Sequence, residues 1–254
     1  MNELRPLTGR DARRALLPLF PGARDTLLLS GLQGHLGQAL LSADGKSGMV
    51  LVGGFAFLGG VPRAALIQAA MNAQPWGFLT FSGSPDWLSL AKALGAGEEM
   101  TRFDLETPAH FDEARLRRLA RPPVGFRLQR VDTPALYEAC RMAGGIGDIV
   151  NNYADYAAFS RHGLAIAALK GDEIAAGCGA YAHADGQLEV KIDTAGAYRR
   201  QGLATACGAA FVLACLEKGL RPHWDAMTPV SAALAAKLGF VHPRPYPVVC
   251  REGE

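Results

Sequence analysis

The sequence lacks the residue patterns that mark metal sites and disulfide scaffolds. Its five cysteines are scattered without a CxxC pair, and their odd number argues against a complete disulfide framework. Its six histidines form no HExxH motif, which excludes the usual metalloprotease signature. We therefore predict no metal. Cys207 and Cys215 are predicted to be inert core thiols.

Long apolar runs and a strong excess of one charge are also missing. No continuous apolar segment reaches the length of a membrane span, and the start, MNELRPLTGRDARRALLPLF, lacks the apolar core of a secretion signal. The net charge of +2 gives no general field for nucleic acids or membrane surfaces. These absences predict a cytoplasmic protein with no membrane partner, for which nucleic-acid binding is not favoured.

A loop before a helix is the most informative feature. Gly202 lets the backbone approach an anion closely, while Arg199 and Arg200 can donate charge-assisted hydrogen bonds and Thr205 offers a hydroxyl. The first amides of the following helix, predicted over residues 203–218, have no intrahelical partner and attract anions. The predicted pyrophosphate contacts are Arg199, Arg200, Gln201, Gly202, Leu203, Ala204 and Thr205.

This loop has neither the Lys-Ser/Thr ending of a nucleotide-hydrolase phosphate loop nor the GxGxxG spacing of a dinucleotide fold. It resembles the Arg/Gln-x-x-Gly-x-Gly/Ala signature of the GCN5-related N-acetyltransferase (GNAT) family, and residues 223–231 and 234–240 resemble that family's next strand and helix. The residues of these segments are similar to those of a bacterial two-domain subgroup that includes the zwittermicin A resistance acetyltransferase. The resemblance is specific over residues 126–250.

The resemblance implies a fold, a cofactor and an activity. The fold is α/β (α+β), with a mixed, mostly antiparallel sheet flanked by helices. The cofactor is acetyl-CoA, and the activity is transfer of its acetyl group to a primary amine of a small molecule. In the family, the backbone at the end of the strand before the loop receives the thioester and pantetheine, and the next helix start adds polar contacts. The implied further cofactor contacts are Ile192, Asp193, Thr194, Thr228 and Ser231, although Ser231 is equally a helix-cap candidate.

The chain is predicted to contain two domains. A basic segment ending in Pro122 and Pro123 marks the boundary, which gives an N-terminal α/β domain over 1–121 and an acetyltransferase domain over 122–254. The first domain is a candidate degenerate GNAT-like half without a second pyrophosphate loop. We expect it either to form one wall of the acceptor pocket or to mediate a homodimer. Its predicted elements include strands at 26–29, 48–58, 76–82 and 99–105 and helices at 11–19, 63–73 and 85–94.

The strand before the loop carries the catalytic candidates. Alternation along residues 188–194 places Glu189, Lys191 and Asp193 on one face, which is either solvated or lines a cleft. Related enzymes often have a glutamate on this strand, so Glu189 is the candidate general base, directly or through water. Asp193 lies too far along the strand to share its proton and could attract a cationic substrate. The alternative is that Glu189 pairs with Lys191 or with an outside arginine and has no catalytic part.

Three residues and one absence complete the candidate site. In the family, the helical segment before the second strand borders the acceptor, which makes Asn151, Asn152 and Tyr153 acceptor candidates; equally, they could cap a helix and turn. Ala235 stands where many relatives have the tyrosine that protonates the departing thiolate. The sequence therefore does not identify the general acid. A noncatalytic acyl-CoA sensor is therefore one alternative function. A protein or RNA acetyltransferase, with the arginines at 115–121 as its contact surface, is another.

Overall fold

A computed structural model describes residues 4–74 and 77–252. Within them, the strands are β1 Leu4–Pro6, β2 Gln38–Ser42, β3 Ser47–Val52, β4 Phe55–Gly60, β5 Leu79–Ser82, β6 Glu98–Glu106, β7 Arg127–Arg130, β8 Ala165–Lys170, β9 Glu173–Ala184, β10 Gln187–Thr194, β11 Arg221–Ala226 and β12 Val241–Arg251. The helices are α1 Arg10–Arg14, α2 Thr26–Leu32, α3 Ala64–Ala73, α4 Pro85–Ala93, α5 Glu113–Leu119, α6 Pro134–Met142, α7 Tyr156–His162, α8 Leu203–Glu217 and α9 Pro229–Leu238. Three short 3₁₀ turns lie at Leu17–Leu19, Gly147–Ile149 and Gly196–Tyr198.

The chain forms two compact units. The first contains the chain up to Arg102 together with the chain from Pro245 onward, and the second contains Phe103–Arg244. The predicted domain division at residues 121 and 122 stays a prediction, because a compact unit is not by itself an independently folding domain. None of the helices in the described ranges is long and apolar enough to cross a membrane.

The sheet of the second unit has the strand order β7-β8-β9-β10-β11-β6. All neighbours are antiparallel except β10 and β11, which run parallel. On one face, α8 packs in a core with residues of β8, β9, β10 and β11, and Phe211 and Trp224 are among its largest members. On the other face, a second core gathers residues of α6, α7 and the turn at Gly147–Ile149. This is the predicted mixed, mostly antiparallel sheet flanked by helices.

The sheet of the first unit has the order β1-β2-β3-β4-β5-β12. Its neighbours are again antiparallel except for one pair, β4 and β5, which is parallel. Its core joins β3, β4 and β5 to α3 and α4, with Trp87 and Phe81 fully buried. The first unit therefore has the same sequence of parallel and antiparallel pairs as the second.

Two strand predictions in the first unit are wrong. Residues 26–29 belong to α2, which begins after Asp25, whose Oδ1 accepts a hydrogen bond from the Leu28 amide at 2.9 Å. A short apolar run does not distinguish a buried strand from a buried helix, and the cap decides here. The predicted strand at 48–58 is two strands, β3 and β4, joined by a tight turn at Gly53, whose φ is 55°. The strand predicted from Trp76 begins at Leu79, and Trp76 lies outside the described residues.

Candidate active site

The loop over residues 195–202 joins β10 to α8 and shapes an exposed helix start. Gly202 is the N-cap of α8 and has a φ of 87°, a left-handed conformation that glycine adopts without steric cost. No side chain caps this helix. The amides of its first turn therefore keep their hydrogen-bonding capacity for an external acceptor. The first turn of α8 is anchored by Leu203 and Ala206, which are buried.

The two arginines of this loop are exposed. Arg199 Nε donates a hydrogen bond to the carbonyl oxygen of Thr194 at 3.3 Å, which folds its side chain back toward the end of β10. Arg200 has a φ of 60° and is exposed, and Gln201 Nε2 donates to the carbonyl of Ala197 at 3.3 Å. Neither arginine forms a salt bridge with any of the described residues, so both charges are available to a ligand.

A lysine that sequence reasoning missed lies beside the helix start. Lys237, in the last turn of α9, has its Nζ 3.5 Å from Oγ1 of Thr205 in the first turn of α8. Ala204, between Leu203 and Thr205, is half-buried. Lys237 thus adds a third cation to the loop. The contact between α8 and α9 brings it there, and no pattern in the sequence indicates that approach.

The strands β10 and β11 pair only briefly. Their parallel register covers Gln187–Glu189 against Arg221–His223, after which β11 pairs instead with β6 on its other side. The opposite edge of β10 stays paired to β9 as far as Thr194. The edge of β10 at Ile192, Asp193 and Thr194, the three predicted backbone contacts, therefore has no strand partner on the β11 side within the described chain. Such an edge leaves backbone groups for a ligand.

The start of α9 corrects one assignment. Thr228 is its N-cap, and Thr228 Oγ1 accepts a hydrogen bond from the Ser231 amide at 3.2 Å. The cap is therefore Thr228, and the predicted capping role of Ser231 is wrong. Ser231 is the third residue of the helix, and its Oγ accepts from Trp224 Nε1 at 3.1 Å. Both side chains are committed to contacts within the fold.

Glu189 is buried, with 3% of its surface exposed. Its Oε2 lies 2.5 Å from His223 Nδ1, and its Oε1 accepts a hydrogen bond from the Asp225 amide at 3.2 Å. His223 Nε2 lies 3.2 Å from Oδ1 of Asp104, and Asp104 Oδ2 accepts from Arg244 at 2.9 Å. The hydrogen bond with His223, followed by the charges of His223 and Arg244, lowers the pKa of Asp104 against the opposing effect of burial.

The sequence did not predict this group of side chains, because strand register creates it. Glu189 is the direct neighbour of His223 in the parallel pair, and Asp104 reaches the same group from β6. The bulge between β9 and β10 places its extra residue, Tyr181, on β9. The alternation predicted along β10 is therefore kept, with Leu188 and Val190 in the α8 core and Glu189 on the other face.

The other two charges of β10 form a small ion cluster. Lys191 Nζ lies 3.3 Å from a carboxylate oxygen of Asp148 and 3.4 Å from one of Asp193. Burial raises the pKa of Asp193, although Lys191 opposes this. Burial alone would lower the pKa of Lys191, but Asp193 and Asp148 outweigh it and raise that pKa. One lysine between two carboxylates leaves a net negative charge at the open end of β10.

The three acceptor candidates occupy different positions. Asn152 Nδ2 donates to the carbonyl of Tyr181 at 2.9 Å and so stabilises the bulge in β9. Asn151 is exposed, whereas the ring of Tyr153 is buried and stacks on His183 at a centroid distance of 6.0 Å. Burial raises the pKa of Tyr153. Asn151 and Tyr153 share a surface cavity of about 640 Å³, whose other lining residues are Tyr137, Glu138, Arg141, Ala154 and Asp155.

Ala235 is fully buried in the α8 core. This position therefore faces the protein interior and offers no side chain to a thiolate. Residues 4–74 and 77–252 contain no group of three or more histidine, cysteine, aspartate or glutamate side chains arranged to hold a metal ion.

Comparisons with known proteins identify the family. The family described as GNAT acetyltransferase matches residues 17–249, most of the chain. An uncharacterized N-acetyltransferase of Bacillus subtilis, YdfB, is 27% identical over 167 residues, which span 64% of this chain and 62% of that relative. The match thus covers less than two thirds of the length of the curated relative.

Solved structures agree with this match. The GCN5-related N-acetyltransferase-like protein of Streptococcus suis superposes with a TM-score of 0.85 at 30% identity, covering 96% of this chain and all of the other. A tandem GNAT protein from the clavulanic acid biosynthesis pathway shares the fold, with a TM-score of 0.54 at 14% identity over 98% of this chain and 97% of that one. The predicted fold and N-acetyltransferase class are confirmed at the level of the family, whose enzymes use acetyl-CoA. The chain belongs to the GNAT acetyltransferase family.

Proposed function

We propose that this chain transfers the acetyl group of acetyl-CoA to the primary amine of a small molecule, and that the second unit binds the cofactor. The observation that carries the proposal is the uncapped start of α8 behind Gly202, with Arg199 and Arg200 exposed in front of it. Amides at a helix start and unpaired guanidinium groups together suit a pyrophosphate. The first unit also has a parallel strand pair, β4 and β5, but residues 61–63 between β4 and α3 form no comparable loop.

The cofactor would lie along three parts of the second unit. Its pyrophosphate would accept hydrogen bonds from the amides and side chains of residues 199–205, and Lys237 would add a charge-assisted bond. Its pantetheine arm would follow the unpaired edge of β10 at residues 192–194. Thr228 and Ser231, at the start of α9, would border the arm on the β11 side. The acyl-chain length stays open.

Glu189 is the proposed base. A primary ammonium loses a proton to the Glu189 carboxylate, directly or through water, and the freed nitrogen lone pair attacks the carbonyl carbon of the thioester. Amides at the open end of β10 stabilise the resulting oxyanion. When this intermediate collapses, the C–S bond breaks, its electron pair stays on sulfur, and the nitrogen loses its second proton. The thiolate takes up one of the two released protons, and the other goes to solvent.

A small cationic amine fits the charges around the open end of β10. Asp148, Asp193 and Lys191 together carry a net negative charge there, which attracts an ammonium group. Asn151, Asn152 and Tyr153 border the same face of the sheet, since they follow the turn at Gly147–Ile149 that contains Asp148. A cytoplasmic location, a homodimer and the narrower relation to the zwittermicin A resistance acetyltransferase stay predictions.

The experiment combines binding and turnover. Calorimetry should detect acetyl-CoA binding, and release of the CoA thiol should depend on added amine in a panel of small primary amines, with the acetylated amine identified by mass spectrometry. Gly202→Val should weaken both signals. Binding without transfer to any amine would support an acyl-CoA sensor instead, and transfer only to proteins or RNA would support a macromolecular acceptor. Absence of binding to the wild-type protein would refute the proposal.

A further inference from the structure

Four ionisable side chains form a continuous hydrogen-bonded row beside the point where β10 and β11 separate. The row runs from Glu189 to His223 at 2.5 Å, from His223 to Asp104 at 3.2 Å and from Asp104 to Arg244 at 2.9 Å. The exposed fraction of the side chains rises along it, from 4% at Glu189 through 15% and 33% to 63% at Arg244. Its buried end is therefore the proposed base.

The two partners of His223 determine its protonation. Its Nδ1 faces a carboxylate oxygen of Glu189, and its Nε2 faces one of Asp104. A neutral imidazole has one N–H donor and one acceptor lone pair, so one of these contacts would place that lone pair against a carboxylate oxygen. Only the imidazolium donates to both. The row then alternates in charge, from Glu189 to Arg244, as minus, plus, minus and plus.

The same contacts fix the geometry of Glu189. One carboxylate oxygen accepts from His223 and the other accepts from the Asp225 amide, so neither oxygen rotates freely. The residue lies at the last paired position of β10 before the strands separate.

We propose that His223 is a positioning residue for acetyl transfer: as an imidazolium held between Glu189 and Asp104, it orients the Glu189 carboxylate and places a positive charge beside it. This inference rests on the proposed role of Glu189 as base. His223 does not accept the proton of the amine, because both of its nitrogens already carry protons. It acts on the reaction through the hydrogen bond and the charge that it presents to Glu189.

The charged groups around His223 come from four strands. β10 contributes Glu189 and, two residues further on the same face, Lys191; β6 contributes Asp104, β12 contributes Arg244, and β11 contributes Asp225 two residues beyond His223. Both of the groups that contact the ring nitrogens at 2.5 and 3.2 Å are carboxylates. Their attraction therefore sets the sign of the effect, and it favours the protonated ring.

Nuclear magnetic resonance tests the inference without any catalytic reaction. Long-range ¹H–¹⁵N spectra of the wild-type protein would be recorded from pH 5.5 to pH 9, and the His223 signals would be assigned by their loss in His223→Gln. Both ring nitrogens should keep imidazolium shifts beyond pH 8, at least about one pH unit above the ordinary histidine value of ~6.5. Asp104→Asn should lower the pH at which His223 loses a proton. A wild-type transition near pH 6.5 would refute the inference.

Kinetics test the effect on Glu189. In His223→Gln, the acid limb of kcat/KM for the amine should move to higher pH by about one unit, because the variant lacks the positive charge beside the proposed base. The KM for acetyl-CoA should stay unchanged. His110→Gln, at an exposed histidine of the same unit, is the matched control and should leave the profile in place. An unshifted acid limb in a folded His223→Gln protein would overturn the positioning role.

The two measurements separate this inference from the proposed function. If no amine is acetylated but His223 keeps both protons beyond pH 8, the ring state is right and the base role of Glu189 is wrong. In that case the positioning role for acetyl transfer is also overturned. If acetylation occurs and His223 titrates near pH 6.5, the positioning role alone is wrong.

Discussion

The two units share a sheet pattern but differ at the loop that we propose binds the cofactor in the second unit. In the second unit, residues 195–202 separate β10 from α8, whereas only residues 61–63 separate β4 from α3 at the corresponding place in the first unit. The longer segment contains the exposed Arg199 and Arg200. In the shorter one, Arg63 is the N-cap of α3 and is paired with Asp44 and Ser47. An arginine engaged within the fold is not available to a phosphate.

A second difference lies at one helix position. α4 and α9 begin alike, with an N-cap of Ser84 or Thr228 and a proline in the first turn. The third helical residue is Trp87 in the first unit and Ser231 in the second. The buried Trp87 indole donates to the carbonyl of Gly60 at the end of β4, at 3.0 Å. If the proposed function is right, loop length and one side chain decide which of two units with the same sheet pattern binds the cofactor.

Exchanging that side chain should have the largest effect. Ser231→Trp would place an indole at the position that Trp87 fills in the first unit. Acetyl-CoA binding measured by calorimetry should fall by roughly 1,000-fold, because overpacking together with loss of the space proposed for the pantetheine arm costs about 4 kcal/mol. Ser231→Ala, which removes only the bond from Trp224, is the control and should bind almost normally. Full affinity in a folded Ser231→Trp protein would show that this position does not cause the proposed difference in cofactor binding between the two units.

The loop glycine should rank second. Gly202→Val should weaken acetyl-CoA binding by roughly 10- to 100-fold, because an L-residue pays about 1–2 kcal/mol for the left-handed conformation and its Cβ obstructs the anion. Gly45→Val is the matched control in the first unit, since Gly45 also has a positive φ, of 72°, and open space around it. It should cost stability without changing affinity. Equal affinities for all three proteins would remove Gly202 from the site.

Lys237 should have a smaller, salt-dependent effect. Lys237→Met should weaken acetyl-CoA binding by roughly 3- to 10-fold at low salt, as expected for one charge-assisted hydrogen bond at an exposed site, and by less at high salt. Lys92→Met is the control, because Lys92 lies near the end of α4 in the first unit and pairs with Glu99. A loss that does not depend on salt would contradict an electrostatic contact with phosphate.

Acid should affect the second unit through Asp104. Its pKa is lowered by His223, so its folded pKa lies below its unfolded value of ~3.9. The stability it contributes is therefore present above pH ~3.9 and is lost as pH falls through the lower, folded pKa. Urea unfolding between pH 7 and pH 3 should show a loss that Asp104→Asn reduces. Parallel curves for the two proteins would contradict this linkage.

The cysteines should show the smallest effect, which is almost no reaction. Burial raises the pKa of Cys207 and of Cys215 to about 12, so their thiols stay protonated at pH 8. All five cysteines are buried. A thiol reagent should therefore label the native protein only slowly, and rapidly after denaturation, which keeps the background low when CoA release is followed. Fast labelling of the native protein would show that the α8 core opens.

Local patterns predicted much of the second unit. The helix predicted over residues 203–218 is α8, and the strand predicted over residues 188–194 lies within β10. The loop of residues 199–202 could be identified because its chemistry lies in consecutive residues. In the first unit, the apolar run that became α2 was predicted to be a strand, since its length and composition fit either structure.

The sequence by itself determined three things: the family, the helix start that we propose binds an anion, and the alternation that places Glu189 on the face opposite the α8 core. Each depends on residues close together in the chain. Only the tertiary structure decided that Glu189 is held by His223 and Asp104, that Lys237 reaches Thr205, and that Trp87 fills in one unit the position that Ser231 leaves small in the other. These contacts join residues far apart in sequence. Strand register and helix packing set them, and neither is written in a local pattern.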